Sequence, residues 1–212
     1  MDKLDFKILY KDLYAPSAKV VSEVDVPKMR FLMIDGAGDP NGEEFQEATN
    51  ALYGLSYTLK FWSKKHEAPA GWREYGVAPL EGLWWVAGAD NGAMNMNAPR
   101  ADWRWTAMIM QPDFVTAELV DAARAEAATK KPETAAALGR ARLEDFEEGR
   151  AAQIMHVGPY SAELPNIMKL DEYMAAHSLA SNGRHHEIYL GDPRRTEPEK
   201  LKTILRHPVK AT

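Results

Sequence analysis

Residues 29–110 and residues 151–209 carry the same succession of patterns, strand, helix, strand, strand, and no other property of the chain restricts its fold as much. In the first half, Met29 to Ile34 is an apolar run that ends in a turn rich in Gly and Asp, closed by Asp39-Pro40-Asn41-Gly42. From Glu43 to Phe61, residues Phe45, Ala48, Leu52, Leu55 and Leu59 recur with the helical period. Tyr53, Tyr57 and Phe61, four apart, make an aromatic stripe beside them. One stripe is enough to bury the helix against a sheet, so the second can face either the core or a ligand.

YGVAPLEGLWWVAG then reads as a strand with Glu81, Leu83 and Trp85 on one face and Gly82 and Trp84 on the other. After a turn at Asp90-Asn91-Gly92, Trp103, Trp105, Ala107 and Ile109 alternate with Arg104, Thr106, Met108 and Met110. The second half repeats this order. Ala151 to His156 is a strand-like run ending at Val157-Gly158-Pro159-Tyr160, and a helix follows with Ile167, Leu170, Met174 and His177 on one face. A turn at Ser181-Asn182-Gly183 precedes two strands, HHEIYLGDPRR and LKTILRHPV. Gly38 matches Gly158 and Glu81 matches Glu187. Between the halves, Thr116 to Lys130 reads as an alanine-rich amphipathic helix, and Pro132 opens a second short helix in ETAAALGRARLEDF.

The expectation is one α+β domain over residues 1–212, with modules at 26–112 and 148–210 joined by a helical connector at 113–147. Either half alone is too small to bury both its helix and its sheet, which favours sheets paired about a pseudo-twofold axis with a ligand cleft at the middle. Glu81 and Glu187 would sit on strands that such an axis can bring together.

Composition narrows the function. The 26 basic and 31 acidic residues sum to −5, so no global positive field is available for a phosphate backbone, and nucleic acid is not an expected partner. No stretch has the length of a membrane span and the first residues lack the apolar core of a signal peptide, so the reading is a cytoplasmic protein without a membrane partner. With no cysteine, zinc-thiolate sites, iron–sulfur clusters and a catalytic thiol are excluded. Six Trp, eight Tyr, six Phe and ten Met remain, side chains that fill a core or line a ligand cavity equally well.

The segments RFLMIDGAGDPN, YGVAPLEGLWW, DFVTAELV, QIMHVGPYSAELPNI and above all HHEIYLGDPRRTEPEKLKTILRHPV resemble the gyrase-inhibitor-like (GyrI-like) small-molecule-binding family over nearly the whole chain. That family includes the effector-binding domains of multidrug-responsive transcription activators. The resemblance is strongest to stand-alone bacterial members, among them enzymes that hydrolyse cyclopropane-bearing, DNA-alkylating natural products of the yatakemycin class. It implies a duplicated strand-helix-strand-strand fold, a pocket with aromatic walls and an acidic residue, and a role in multidrug binding or detoxification. The roughly 25 residues before the first core strand are too few for a helix-turn-helix module of three helices, so no attached DNA output is expected.

The resemblance places the family's strand glutamate on Glu187 and the tyrosine two positions on at Tyr189. Alternation puts both on one sheet face. Aromatic walls would disfavour the charged carboxylate, leaving it able to accept a proton from water or to hold a cation; the alternative is a surface pair with Arg104 or Arg184. Glu81 enters as the third catalytic candidate through its matching position. Tyr57, Phe61, Trp85, Trp103, Trp105 and Tyr160 are the candidate wall residues, each of which could equally be core. His185 and Glu187 share a strand face, but the further ligands of a metal site are lacking, and neither metal nor cofactor is expected. His156 reads as a satisfied strand-end histidine. Two functions remain: a cofactor-independent hydrolase that adds water to a strained cyclopropane, or a protein that sequesters planar aromatic or cationic drugs. The oligomeric state stays open.

Overall fold

The computed structural model describes residues 3–89 and 94–212; the turn expected at Asp90-Asn91-Gly92 lies outside the described residues. Among the described residues, nine strands run β1 (Ser22–Val26), β2 (Met29–Ala37), β3 (Leu80–Val86), β4 (Trp103–Gln111), β5 (Arg142–Phe146), β6 (Gly149–Val157), β7 (Leu179–Ser181), β8 (His185–Tyr189) and β9 (Lys202–Ala211). Eight follow one another across an antiparallel sheet in the order β1-β6-β9-β8-β3-β4-β2-β5, and β7 pairs with β9. Outward from the central β3–β8 pair the sheet therefore reads β4-β2 on one side and β9-β6 on the other. Both β2 and β6 feed a helix across a glycine with positive φ, +89° at Gly38 and +138° at Gly158. A side chain would be strained at either turn.

The helices are α1 (Phe6–Leu9), α2 (Lys11–Tyr14), α3 (Glu43–Lys60), α4 (Ala117–Lys130), α5 (Ala135–Arg140) and α6 (Leu164–Ala176). In α3 the first expected stripe is core, with Ala48, Leu52, Leu55 and Leu59 buried. Acidic Glu43 and Glu44 sit in its first turn, where the helix dipole favours negative charge. Its second stripe is only partly buried: Tyr53, Tyr57 and Phe61 stack in a ladder with centroids 6.5 and 6.2 Å apart, and Tyr57 and Phe61 are exposed.

Cross-strand partners share a face of the sheet, so register assigns every side chain. Leu32, Ile34, Gly36, Gly82, Trp84, Trp105, Glu187, Tyr189 and Leu205 lie on the face that carries α3 and α6. Phe31, Met33, Glu81, Leu83, His186 and Arg206 lie on the other. There the N-terminal segment closes over the sheet: Phe6, Leu13 and Tyr14 are buried, and Phe6 meets Tyr75 edge-on.

Two parts of the connector and of the N-terminus differ from expectation. Arg142–Phe146, expected as the end of a helix, is β5, because Leu143 pairs with Leu32 and the segment completes the free edge of β2. Residues 22–26 form β1, which does the same for β6. Unpaired edges are costly, and these two short charged strands cover them.

Candidate functional site

On the face that carries both helices, α3 packs over β2 and β4 and α6 over β6 and β9, so the β3–β8 pair is the floor of the groove between them. Gly82 is the Cα partner of Glu187, and an added Cβ at Gly82 would come within 2.7 Å of Trp84 Nε1 and 3.2 Å of Tyr189 Oη. The missing side chain thus lets the Trp84 indole and the Tyr189 phenol lean together, and Trp84 Nε1 donates to Tyr189 Oη at 3.0 Å. That bond occupies the phenol oxygen as acceptor and leaves its proton to be donated elsewhere. Burial first, and then the Glu187 carboxylate beside it, push the Tyr189 phenol well above its usual range, so it keeps that proton. Gly82→Ala is expected to separate Trp84 from Tyr189 and to cost about 1–3 kcal/mol of stability, which urea unfolding against the parent measures.

Glu187 is only 12% exposed and its Oε1 lies 3.0 Å from His185 Nε2. The pairing with Arg104 or Arg184 weighed from the sequence does not form. Tyr160 meets Tyr189 edge-on at 5.7 Å, and burial with the nearby Glu187 and Glu163 charges pushes its phenol up to about 12. Glu163, immediately before α6, is 2% exposed and its Oε1 has no hydrogen-bond partner. Burial, then repulsion from Glu187, push its carboxyl up to about 9. Glu163 therefore stays protonated at neutral pH on this face of the sheet.

The sign of the Glu163 effect follows from linkage. The folded chain holds the proton up to about pH 9 while an unfolded glutamate releases it near 4.5, so this group's contribution is full below pH 4.5 and is lost as pH rises toward 9. Glu163→Gln is expected to be more stable than the parent at pH 8, by about 2 kcal/mol, with the difference closing below pH 5; thermal melts across that range measure it.

A family model described as the GyrI-like small-molecule-binding domain matches residues 114–210. A crystal structure of an uncharacterised conserved protein from Listeria innocua is 42% identical over 98% of this chain and 100% of that one, with a TM-score of 0.89. The chain belongs to the GyrI-like family. A second crystal structure, described as a hydrolase from Listeria innocua, is also 42% identical, over 98% of this chain and 100% of that chain, with a TM-score of 0.86. The C-terminal domain of EcmrR shares the fold at 10% identity, a TM-score of 0.55, and coverage of 91% of this chain and 98% of its own. No curated protein matches.

This GyrI-like chain is thus built around a small-molecule-binding domain, with no helix among the described residues long and apolar enough to cross a membrane. The expected site residues divide. Glu187, Tyr189 and Tyr160 meet in the groove, and the Tyr53-Tyr57-Phe61 ladder stands at its α3 side, where Tyr53 reaches the Leu80 backbone at the start of β3.

Glu81 does not converge with Glu187. Its partner across the pair is Ile188, so it points to the opposite face, 1% exposed, where Tyr14 Oη donates to its Oε1 at 2.6 Å and His186 Nε2 lies 3.0 Å from its Oε2. Trp85 is on that same opposite face with the Arg184 guanidinium 3.6 Å over its ring. Trp105 is core, fully buried, folded over Gly36 and edge-on to Phe45. Trp103 is buried under Arg100 and against Trp84. His156 is satisfied by the Pro159 carbonyl and Asn166, each at 3.1 Å.

The sequence reading missed Trp84 and Glu163, and it placed His185 on the face of Glu187 without giving it a role there. Gly82 beside Trp84 was the available signal for the first, since a glycine in a strand marks a close approach. An acidic residue before a helix is too ordinary to single out Glu163.

Proposed function

We propose that the groove binds planar aromatic or cationic small molecules and hydrolyses cyclopropane-bearing, DNA-alkylating toxins with water activated by Glu187. The observation that carries this reading is the juxtaposition of a sheltered carboxylate, Glu187, with the phenol of Tyr189, whose oxygen is already taken by Trp84. The description of a 42% identical Listeria protein as a hydrolase supports it from outside.

The reaction needs no cofactor. A flat conjugated ligand lies against Tyr160 and the α3 ladder, Tyr189 donates its proton to the conjugated carbonyl, and Glu187 takes a proton from water as its oxygen bonds to the ring carbon. The cyclopropane C–C bond breaks, its electrons restore the aromatic ring, and the former carbonyl oxygen leaves as a phenol. Glu187 then gives up its proton and Tyr189 regains one before the next turnover, so the net change is the addition of one water. The same carboxylate among aromatic rings also suits a cation, and sequestration of an unchanged drug is the second reading. Incubating the purified protein with a cyclopropane-bearing alkylator of the yatakemycin class and following mass decides between them. Gain of one water supports hydrolysis; tight binding with the compound recovered intact assigns the groove to sequestration and overturns the hydrolase reading.

A further inference from the structure

Behind Glu187 runs a line of ring nitrogens that the proposed reaction does not use. His185 Nε2 lies 3.0 Å from Glu187 Oε1, His185 Nδ1 lies 2.8 Å from His207 Nε2, and His207 Nδ1 faces Asp171 Oδ1 at 3.9 Å. The two rings meet edge-on with centroids 5.0 Å apart. His185 and His207 are 3% and 14% exposed, whereas Asp171 on α6 is 61% exposed. The outer end opens into a pocket of about 170 Å³ bounded by Ile167, Asp171 and Met174 on one side and Arg184, His185 and His207 on the other. The line thus connects the sheltered carboxylate to solvent without passing through the aromatic groove.

We infer that His185 and His207 form a two-imidazole proton relay that exchanges the proton of Glu187 with solvent at Asp171 while the groove is filled. The inference rests on Glu187 being the working carboxylate of that groove. A proton entering at His207 Nδ1 displaces the one on its Nε2 to His185 Nδ1, and His185 then releases its Nε2 proton to Glu187. One proton enters, one arrives, and both rings end neutral with their tautomers inverted; the reverse order discharges Glu187. Each step uses a nitrogen already within hydrogen-bond reach of the next, Asp171 excepted, whose 3.9 Å is the span of a bridging water.

Neutral rings are what such a relay requires. Burial, then the neighbouring His185, lower His207 to about 3, which keeps its second nitrogen free as an acceptor. The charged and titratable groups around the pair are Glu187 and Arg184 at β8, Asp171 on α6, Glu163 just before it, and Glu148 acting through the sheet from the opposite face. Met174 and Ile167 supply the apolar flank that keeps the rings from open water. His185 and His207 are positioning residues here, since neither is required to touch the ligand.

The test is nitrogen-15 NMR of the imidazoles in the ligand-free full chain, which needs no substrate. Across a pH series both rings are expected to exchange tautomers with one shared midpoint, and the transition is expected to vanish in Glu187→Gln. His207 nitrogens that do not follow that midpoint, or that still switch in Glu187→Gln, would overturn the relay. In the hydrolysis assay, His207→Gln keeps a hydrogen bond to His185 but passes no proton. Its kcat is expected to fall about tenfold with KM unchanged, and added imidazole is expected to restore His207→Ala. Wild-type turnover in His207→Gln would also sink the relay. A parent chain that leaves the alkylator intact refutes the hydrolase reading alone, because the NMR result still decides the relay.

Discussion

Glu187→Gln is expected to lower hydrolysis of a cyclopropane-bearing alkylator by about 10²–10⁴-fold while ligand affinity changes little, the range associated with removing a positioned base. The substitution is nearly isosteric, and the glutamine carbonyl can still accept from His185 Nε2, so the floor of the groove keeps its shape. What disappears is the capacity to take a proton from water. A neutral planar substrate binds through its faces, which the change does not touch, so KM should hold and kcat should fall; that split marks an interaction made only in the transition state. A cationic ligand behaves differently, because it loses its counter-charge and binds more weakly. Hydrolysis at more than a tenth of the parent rate in Glu187→Gln would remove Glu187 from the base role. Tyr189→Phe is the companion measurement, since it deletes the proton donor to the carbonyl and leaves the Trp84 indole N–H without its acceptor.

Much of this site was legible in the sequence, and what was not has a physical reason. Alternation along β3 correctly separated Glu81, Leu83 and Trp85 from Gly82 and Trp84. Which of the two sets faces the ligand is decided by register across β3–β8, a property of two distant segments. Matching Glu81 to Glu187 by their order in the elements is off by one residue, because Gly82 is the residue opposite Glu187, and an offset of one turns every side chain to the other face. That single step removes Glu81 and Trp85 from the groove and brings in Trp84. The α3 stripes were readable because both follow from one helical period. β5 was not, since Arg142-Leu143-Glu144-Asp145-Phe146 carries only a weak alternation and its strand state comes from pairing with β2.

Glu148→Gln is expected to destabilise the protein by about 3–5 kcal/mol, the cost typical of breaking a buried ion pair by removing one partner. Glu148 just precedes β6 and is buried on the sheet face opposite the groove. Its carboxylate lies 3.0 Å from His186 Nδ1 and accepts from Arg206 Nη1 at 3.1 Å. Arg206 also donates to Gln153 at 3.0 Å and to the Leu13 carbonyl at 2.8 Å, and Gln153 donates to the Asp12 carbonyl at 2.7 Å. Glu81 closes the other side through Tyr14 and His186.

Two carboxylates, an imidazolium and a guanidinium therefore balance in charge under the N-terminal segment. Removing one negative charge leaves Arg206 and His186 facing each other with Glu81 alone. Burial opposes the charge on both members of the pair, but the imidazolium and guanidinium hold Glu148 down to about 2 and the two carboxylates hold His186 up to about 9. The Glu148 contribution is present above about pH 4.5 and is lost as pH falls toward 2. The His186 contribution is present below about pH 6.5 and is lost as pH rises through 9. The parent should thus be most stable between these limits, and Glu148→Gln should lose most there and show a flatter profile on both sides. Urea unfolding at pH 3, 5.5 and 9 measures it. Since His186 and Glu187 are neighbours on β8 but face opposite ways, kcat in the folded fraction should be unchanged. A loss of kcat without a loss of stability would mean that this network serves the groove and not the docking of the N-terminal segment.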